Sequence, residues 1–323
     1  AAVPERMEGV DDWLSRFDER QVLKVREATG IDEIRVAGPH ISTLDLATAA
    51  AMPTAQWAAT SLIDIQALVV ATQTPPQAAP GVAHLLAHQL GLRNELFCVD
   101  INHGCSAYPY AMTVAGSLIS SGAVDSALVV VGDTITNFTD PQDHRTRMVF
   151  GDAASATLVT TGSDSWGFLS GADGSGAGAL SLGSCNPGTR DNWLHMDGLA
   201  VMNFTLLRVP PLMDELRRIE ADVTGQESFD TVVLHQANRF IVRTLSGKVG
   251  REGEKYLHGY SQYGNTGPAS IPLALATAGV EPQELGRTAM LGFGIGLSWA
   301  GLTADLSQLE ILPVTELSGG SSS

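Results

Sequence analysis

The chain has little cysteine: Cys98, Cys105 and Cys185 are the only three in 323 residues. So sparse a set excludes a disulfide framework. With no charged, apolar, small-residue signal stretch at the start, the expected compartment is a reducing cytoplasm. The chain also has no run near the roughly 18 consecutive apolar residues of a membrane helix, since SALVVVG (126–132) and its like stop at strand length, so no membrane partner is expected. Cations are scarce as well, 19 Lys and Arg against 35 Asp and Glu, for a net charge of −16. That balance excludes a general nucleic-acid binder, which needs a broad basic surface against phosphate.

What is present is ordinary for a globular protein: 44% hydrophobic and 17% charged residues, in a length that suits two domains or two similar halves sharing one core. The few cations are unevenly placed. Eight of the 19 (Arg208, Arg217, Arg218, Arg239, Arg243, Lys248, Arg251, Lys255) fall between 208 and 255, either as a solvated helix face or as a dock for an anionic partner.

Apolar runs and turn signals alternate along the chain. IQALVVATQT (65–74), LFCVDI (96–101), SALVVVGD (126–133) and SATLVTTG (155–162) read as strands, with helices at 81–92 and 106–121. The second part repeats the plan: helices near 208–221, at 238–249 and around 269–278, with strands at 229–236 and 288–294. Such alternation predicts mainly parallel sheets covered by helices. The halves are expected to divide as 1–165 and 166–317, with a Gly-rich excursion at 171–192 and a flexible tail at 318–323.

Three places hold candidate chemistry. Cys105 follows Gly104 where a strand turns into a helix; unpaired N–H groups and the helix dipole there favour a thiolate, although an unpaired cysteine is equally a small core residue. His235 ends the apolar strand of VVLHQAN (232–238), at the carboxyl edge of a sheet, where α/β proteins keep their sites. Asn265, in YGNTGPASIP (263–272), sits in a turn entering a helix and by itself reads as a cap. HLLAH (84–88) lacks the glutamate of a zinc helix, so no metal is expected. GFGIG (292–296) and GSGAG (174–178) lack the strand, helix and acidic residue of a dinucleotide site. Cys98 and Cys185 are read as structural.

Taken together, Cys105 in DINHGCSAY, His235 in LHQAN, Asn265 in GNTGPASIP and the closing FGIGLSWAG (293–301) resemble the ketoacyl-[acyl carrier protein] synthase III family, as do ATGIDEIR (28–35) and RTRMVFGDAASATLV (145–159). The resemblance implies an α/β protein of the thiolase fold, two pseudo-symmetric halves in five layers (α-β-α-β-α), and a homodimer. It implies that Cys105 takes an acyl group from a coenzyme A or carrier-protein thioester, with no permanently bound cofactor. The backbone N–H groups of Cys105 and Ile295 would form the oxyanion hole, and His235 and Asn265 would steady the enolate left when a malonyl thioester loses carbon dioxide.

The same resemblance assigns substrate and carrier contacts to Lys24, His144, Asn238, Arg239, Arg243 and Lys248, the last three facing an acidic acyl carrier protein. Lys24, Ala28 and His144 stand where relatives often hold adenine with a tryptophan and arginines. Ala79 and His103 are expected at the acyl pocket. Two other readings stay open: acyl transfer to an O, N or S nucleophile without decarboxylation, and a non-catalytic partner subunit.

Overall fold

The computed structural model describes residues 1–183 and 193–319. Its layers follow from strands that are apolar on both faces. Every residue of Ala67–Ala71 and Ser126–Asp133 is buried, because alternate side chains serve different neighbours. Leu68, Val70, Leu128 and Val130 pack outward among residues of helices Thr43–Thr60 and Val82–Gln89, whereas Val69, Ala71, Val129 and Val131 pack inward. The inward set meets helices Ala107–Ser120 and Ser270–Thr277, whose Ala107, Ala111, Ala115 and Ala274 let a helix lie close between two sheets. Val233, Met290 and Leu302 of the second sheet close that central layer, while Val232, Leu234, Ala289 and Leu291 face helices Gly198–Thr224 and Arg239–Val249. The result is the five-layered α/β thiolase fold.

The two sheets share one strand order. In the first, Phe97–Ile101, Ala67–Ala71 and Ser126–Asp133 are parallel neighbours, followed by antiparallel Ala153–Thr160 and then Ala2–Pro4. In the second, Lys255–Tyr256, Thr231–Leu234 and Arg287–Gly294 are parallel, followed by antiparallel Ser298–Asp305 and Gly167–Ala172. Thr315–Leu317 crosses back to pair with Ala2–Pro4, so the first sheet takes its last strand from the end of the chain.

Two local expectations change. The helix expected near 208–221 begins at Gly198, where the Asp197 carboxylate accepts the N–H groups of Leu199 and Ala200 at 3.1 and 3.0 Å, and it carries Pro210 and Pro211 in its interior. The Gly-rich excursion is not all loop, since Leu180–Leu182 pairs with Leu194–Met196. Residues 184–192, with Cys185, and 320–323 of the tail lie outside the described residues. Among the described residues no helix is long and apolar enough to cross a membrane.

Candidate active site

Cys105 lies in the turn between strand Phe97–Ile101 and helix Ala107–Ser120. A Cβ on Gly104 would stand 2.1 Å from Ile295 Cγ2 and 2.4 Å from Gln73 Oε1, so glycine is what lets those segments close on the turn. From the other sheet, Gly294 (φ +156°) comes so near that a Cβ there would meet Cys105 Cβ and Sγ at 2.8 Å. The two halves therefore touch at the sulfur. Burial pushes the Cys105 thiol up to about 11, while the neighbouring backbone N–H groups of Ile295 and of Cys105 itself pull the other way. Desolvation therefore opposes the thiolate that the helix start was expected to favour.

His235 follows Thr231–Leu234 directly and is 2% exposed. Its Nδ1 meets Ser270 Oγ at 2.7 Å, and the same oxygen accepts the Gln236 N–H at 3.3 Å. Burial drives the imidazole down to about 3, so it is neutral. Asn265 is gripped by the first half of the chain: its N–H donates to Val149 O at 2.8 Å and its carbonyl accepts Gly151 N–H at 3.0 Å. Its side-chain oxygen accepts the Gly267 N–H at 3.0 Å, and among the described residues no acceptor meets its Nδ2.

Cys105, His235 and Asn265 line a single cavity of about 540 Å³, together with Phe293 and Gly294. Its mouth includes Lys24 and Ala28 of helix Glu19–Thr29, His144, and Asn238. Phe150, Leu180, Met196 and Ile241 supply apolar wall. The arrangement puts a thiol, an imidazole and an amide around one largely apolar cavity. Among the described residues no group of three or more His, Cys, Asp or Glu side chains is placed to hold a metal ion.

The sequence model of 3-oxoacyl-[acyl-carrier-protein (ACP)] synthase III matches residues 99–176, and that of the C-terminal part of the same synthase matches residues 219–306. A beta-ketoacyl-[acyl-carrier-protein] synthase III of Geobacillus kaustophilus is 33% identical over 314 residues, covering 93% of this chain and 94% of the relative. The chain belongs to the ketoacyl-[acyl carrier protein] synthase III family. Among solved structures, a 3-oxoacyl-(acyl-carrier protein) synthase from Burkholderia xenovorans is similar at TM-score 0.89 and 33% identity, covering 98% of this chain and 95% of that one. The priming beta-ketosynthase of the R1128 polyketide pathway has the same fold at TM-score 0.82 and 26% identity, covering 96% and 93%.

Other residues named from the family resemblance fall elsewhere. Ala79 lies on the exposed segment before helix Val82–Gln89 and His103 turns its ring to Ser106 and Tyr110; neither lines the cavity within this chain. Asn238 uses its side-chain oxygen to cap helix Arg239–Val249, accepting the Ile241 N–H at 2.9 Å. The cation cluster mostly dissolves. Arg208, Arg217, Arg218, Arg251 and Lys255 each pair with a carboxylate, and Arg239 donates to Glu27 O across the halves. Arg243 and Lys248 stay exposed and make no ion pair among the described residues. Sequence reasoning missed Ser270 and Asp133, because neither type carries a signal until folding sets it beside His235 or near Cys105.

Proposed function

We propose that this protein is an acyltransferase of the decarboxylative condensing type, working through Cys105, His235 and Asn265. The convergence of these three residues on one cavity, with the Gly294–Ile295 backbone of the other half packed against the Cys105 sulfur, carries the reading. The Cys105 sulfur adds to the carbonyl of an acyl thioester as its proton leaves. The N–H groups of Cys105 and Ile295 hold the oxyanion; the carbon–sulfur bond to pantetheine then breaks and the pantetheine thiol departs with a proton, leaving an acyl-Cys105 thioester.

In the second step a malonyl thioester loses carbon dioxide. The electron pair of that bond becomes an enolate, whose oxygen accepts hydrogen bonds from His235 Nε2 and Asn265 Nδ2. Its carbon attacks the acyl-Cys105 carbonyl, and the sulfur leaves and regains a proton. The Ser270 contact supports this role for His235: with Ser270 Oγ accepting the Gln236 N–H, its own hydrogen can go to Nδ1, which puts the imidazole proton on Nε2.

The donor is a coenzyme A or carrier-protein thioester, met at the mouth by Lys24, His144 and Asn238, and the acyl carrier protein docks at Arg243 and Lys248. The product enters fatty-acid or polyketide synthesis in the cytoplasm. A homodimer is part of the proposal: strand Phe97–Ile101 ends its sheet with Phe97 46% exposed, an edge that a second copy can cover. The dimer is also where Ala79 would reach the partner's acyl pocket.

Intact-mass measurement with a panel of acyl donors tests the proposal. Wild type is expected to gain one acyl group, Cys105→Ala none, and malonyl carrier protein is expected to discharge the adduct with carbon–carbon bond formation. A wild type without adduct would favour a non-catalytic subunit. An adduct that malonyl thioester leaves in place would favour transfer to an O, N or S nucleophile.

A further inference from the structure

His103 stands two residues before the nucleophile yet outside the cavity, and its contacts run in one direction. Its Nε2 meets Ser106 Oγ at 2.8 Å, Ser106 Oγ meets Ser298 Oγ at 2.8 Å, and Ser298 Oγ donates to the carbonyl of Ile295 at 2.7 Å. A carbonyl only accepts, so the Ser298 hydrogen is committed to Ile295. A hydroxyl has one hydrogen, so Ser298 must accept from Ser106, and Ser106 in turn must accept from His103 Nε2–H. Each direction is thereby determined from the carbonyl backwards. Burial lowers the pKa of His103, and the Tyr110 ring packs on it at 4.4 Å between centroids. Ser106 and Ser298 are 0% and 1% exposed, so water does not compete for their links.

The two ends of this chain of bonds matter. Ser106 is the residue after Cys105, and Ser298 closes the turn that carries Ile295; these two segments meet at the Cys105 sulfur, where a Cβ on Gly294 would come within 2.8 Å of it. Ile295 is flanked by Gly294 and Gly296, both at positive φ (+156° and +139°), so side-chain sterics do little to orient its peptide groups. Pairing of Gly294 with Ser298 holds one side of Ile295, and the Ser298 hydroxyl holds its carbonyl on the other.

We propose that His103, Ser106 and Ser298 form a directed hydrogen-bond relay that sets the spacing of the two oxyanion donors, which makes them positioning residues for acylation of Cys105. The proposal rests on the function proposed above. It gives His103 a task other than a wall of the acyl pocket.

Two single-turnover rates of the same full-length enzyme test it. Acylation by butyryl-pantetheine forms an oxyanion; alkylation of the same thiol by iodoacetamide does not, so their ratio cancels changes in thiolate supply and in folding. In His103→Ala and Ser298→Ala the ratio is expected to fall about tenfold, less than the 10²–10³ of removing a donor outright because the donors are misplaced, not lost. His103→Gln and Ser298→Thr, which restore an N–H or a hydroxyl, are expected to recover most of it. The His103→Ala and Ser298→Ala double variant is expected to be no worse than Ser298→Ala, as links in series require. An unchanged ratio in both alanine variants, or full additivity in the double, overturns the relay alone. A wild type that alkylates but is never acylated overturns the function on which it rests.

Discussion

Both halves bring parallel strands to the same cavity, yet the segments at the carboxyl ends of those strands differ in kind. In the first half Ala67–Ala71 and Ser126–Asp133 end in a closed polar knot: Asp133 Oδ1 accepts Thr72 Oγ1 at 2.7 Å, Gln73 N–H at 2.8 Å, and the N–H and hydroxyl of Thr74 at 3.1 and 2.9 Å. In the second half Thr231–Leu234 ends in His235, with Ser270 on Nδ1. Burial moves both groups away from charge, Asp133 up to about 6 and His235 down to about 3. The difference is a division of labour: one half gathers four donors on a single carboxyl oxygen beside the Cys105 turn, and the other lines the cavity with His235 and Asn265.

The sharpest way to break that comparison is to remove the second half's donors. His235→Ala and Asn265→Ala are each expected to keep an acyl-Cys105 adduct by intact mass while slowing condensation by about 10²–10³. Loss of the adduct itself would show that the halves do not divide the two steps.

Next comes the knot. A carboxyl whose folded pKa is raised from 3.8 to about 6 keeps its proton in the native state while the unfolded chain releases it. Its contribution to stability is therefore full below pH 3.8 and lost as pH rises through 6. Asp133→Asn does not titrate, so the stability of wild type minus that of the variant should fall by roughly 3 kcal/mol on going from acid to neutral pH, about 2 pKa units at 1.36 kcal/mol each. Denaturant unfolding at both ends of the range measures it, and a constant difference would refute the buried, raised carboxyl.

A third test concerns the thiol where the halves meet. With Cys105 pushed up to about 11, its alkylation by iodoacetamide should rise about tenfold per pH unit from neutral pH to about 10, because only the thiolate reacts. A plateau below pH 8 would mean that the local donors outweigh burial after all. The smallest effect belongs to the rim. Arg243→Glu with Lys248→Glu should lower carrier-protein turnover by about fivefold at low ionic strength, with the loss fading as salt screens the pair. Arg239→Ala, which breaks the contact with Glu27 O, should instead appear as lost stability.

Much of this was legible before folding. The strands announced themselves because both faces of Ala67–Ala71 and Ser126–Asp133 are apolar, and the helix after Cys105 because Ala107, Tyr108, Ala111, Met112 and Ala115 recur at helical spacing before Gly122. The order of Cys105, His235, Asn265 and FGIGLSWAG carried the family. The expected helix at 208–221 already spanned Pro210 and Pro211; what it missed was the start at Gly198, capped by Asp197. The cation cluster misled more seriously, since sequence shows that charges are near one another along the chain but not which carboxylate each one meets.

The sequence by itself determined the alternation of strands and helices and, through its ordered motifs, the family, and it put Cys105, His235 and Asn265 forward as candidates; all of this depends on residue type and on order along the chain. Only the tertiary structure decided their state. Whether Cys105 rests as thiol or thiolate, which ring nitrogen of His235 is engaged, and where His103 points depend on burial and on hydrogen bonds across 35 residues from His235 to Ser270 and 192 from Ser106 to Ser298. Such terms appear only when two distant strand ends are brought together and water is excluded between them, because desolvation and pairing act through space and not along the chain.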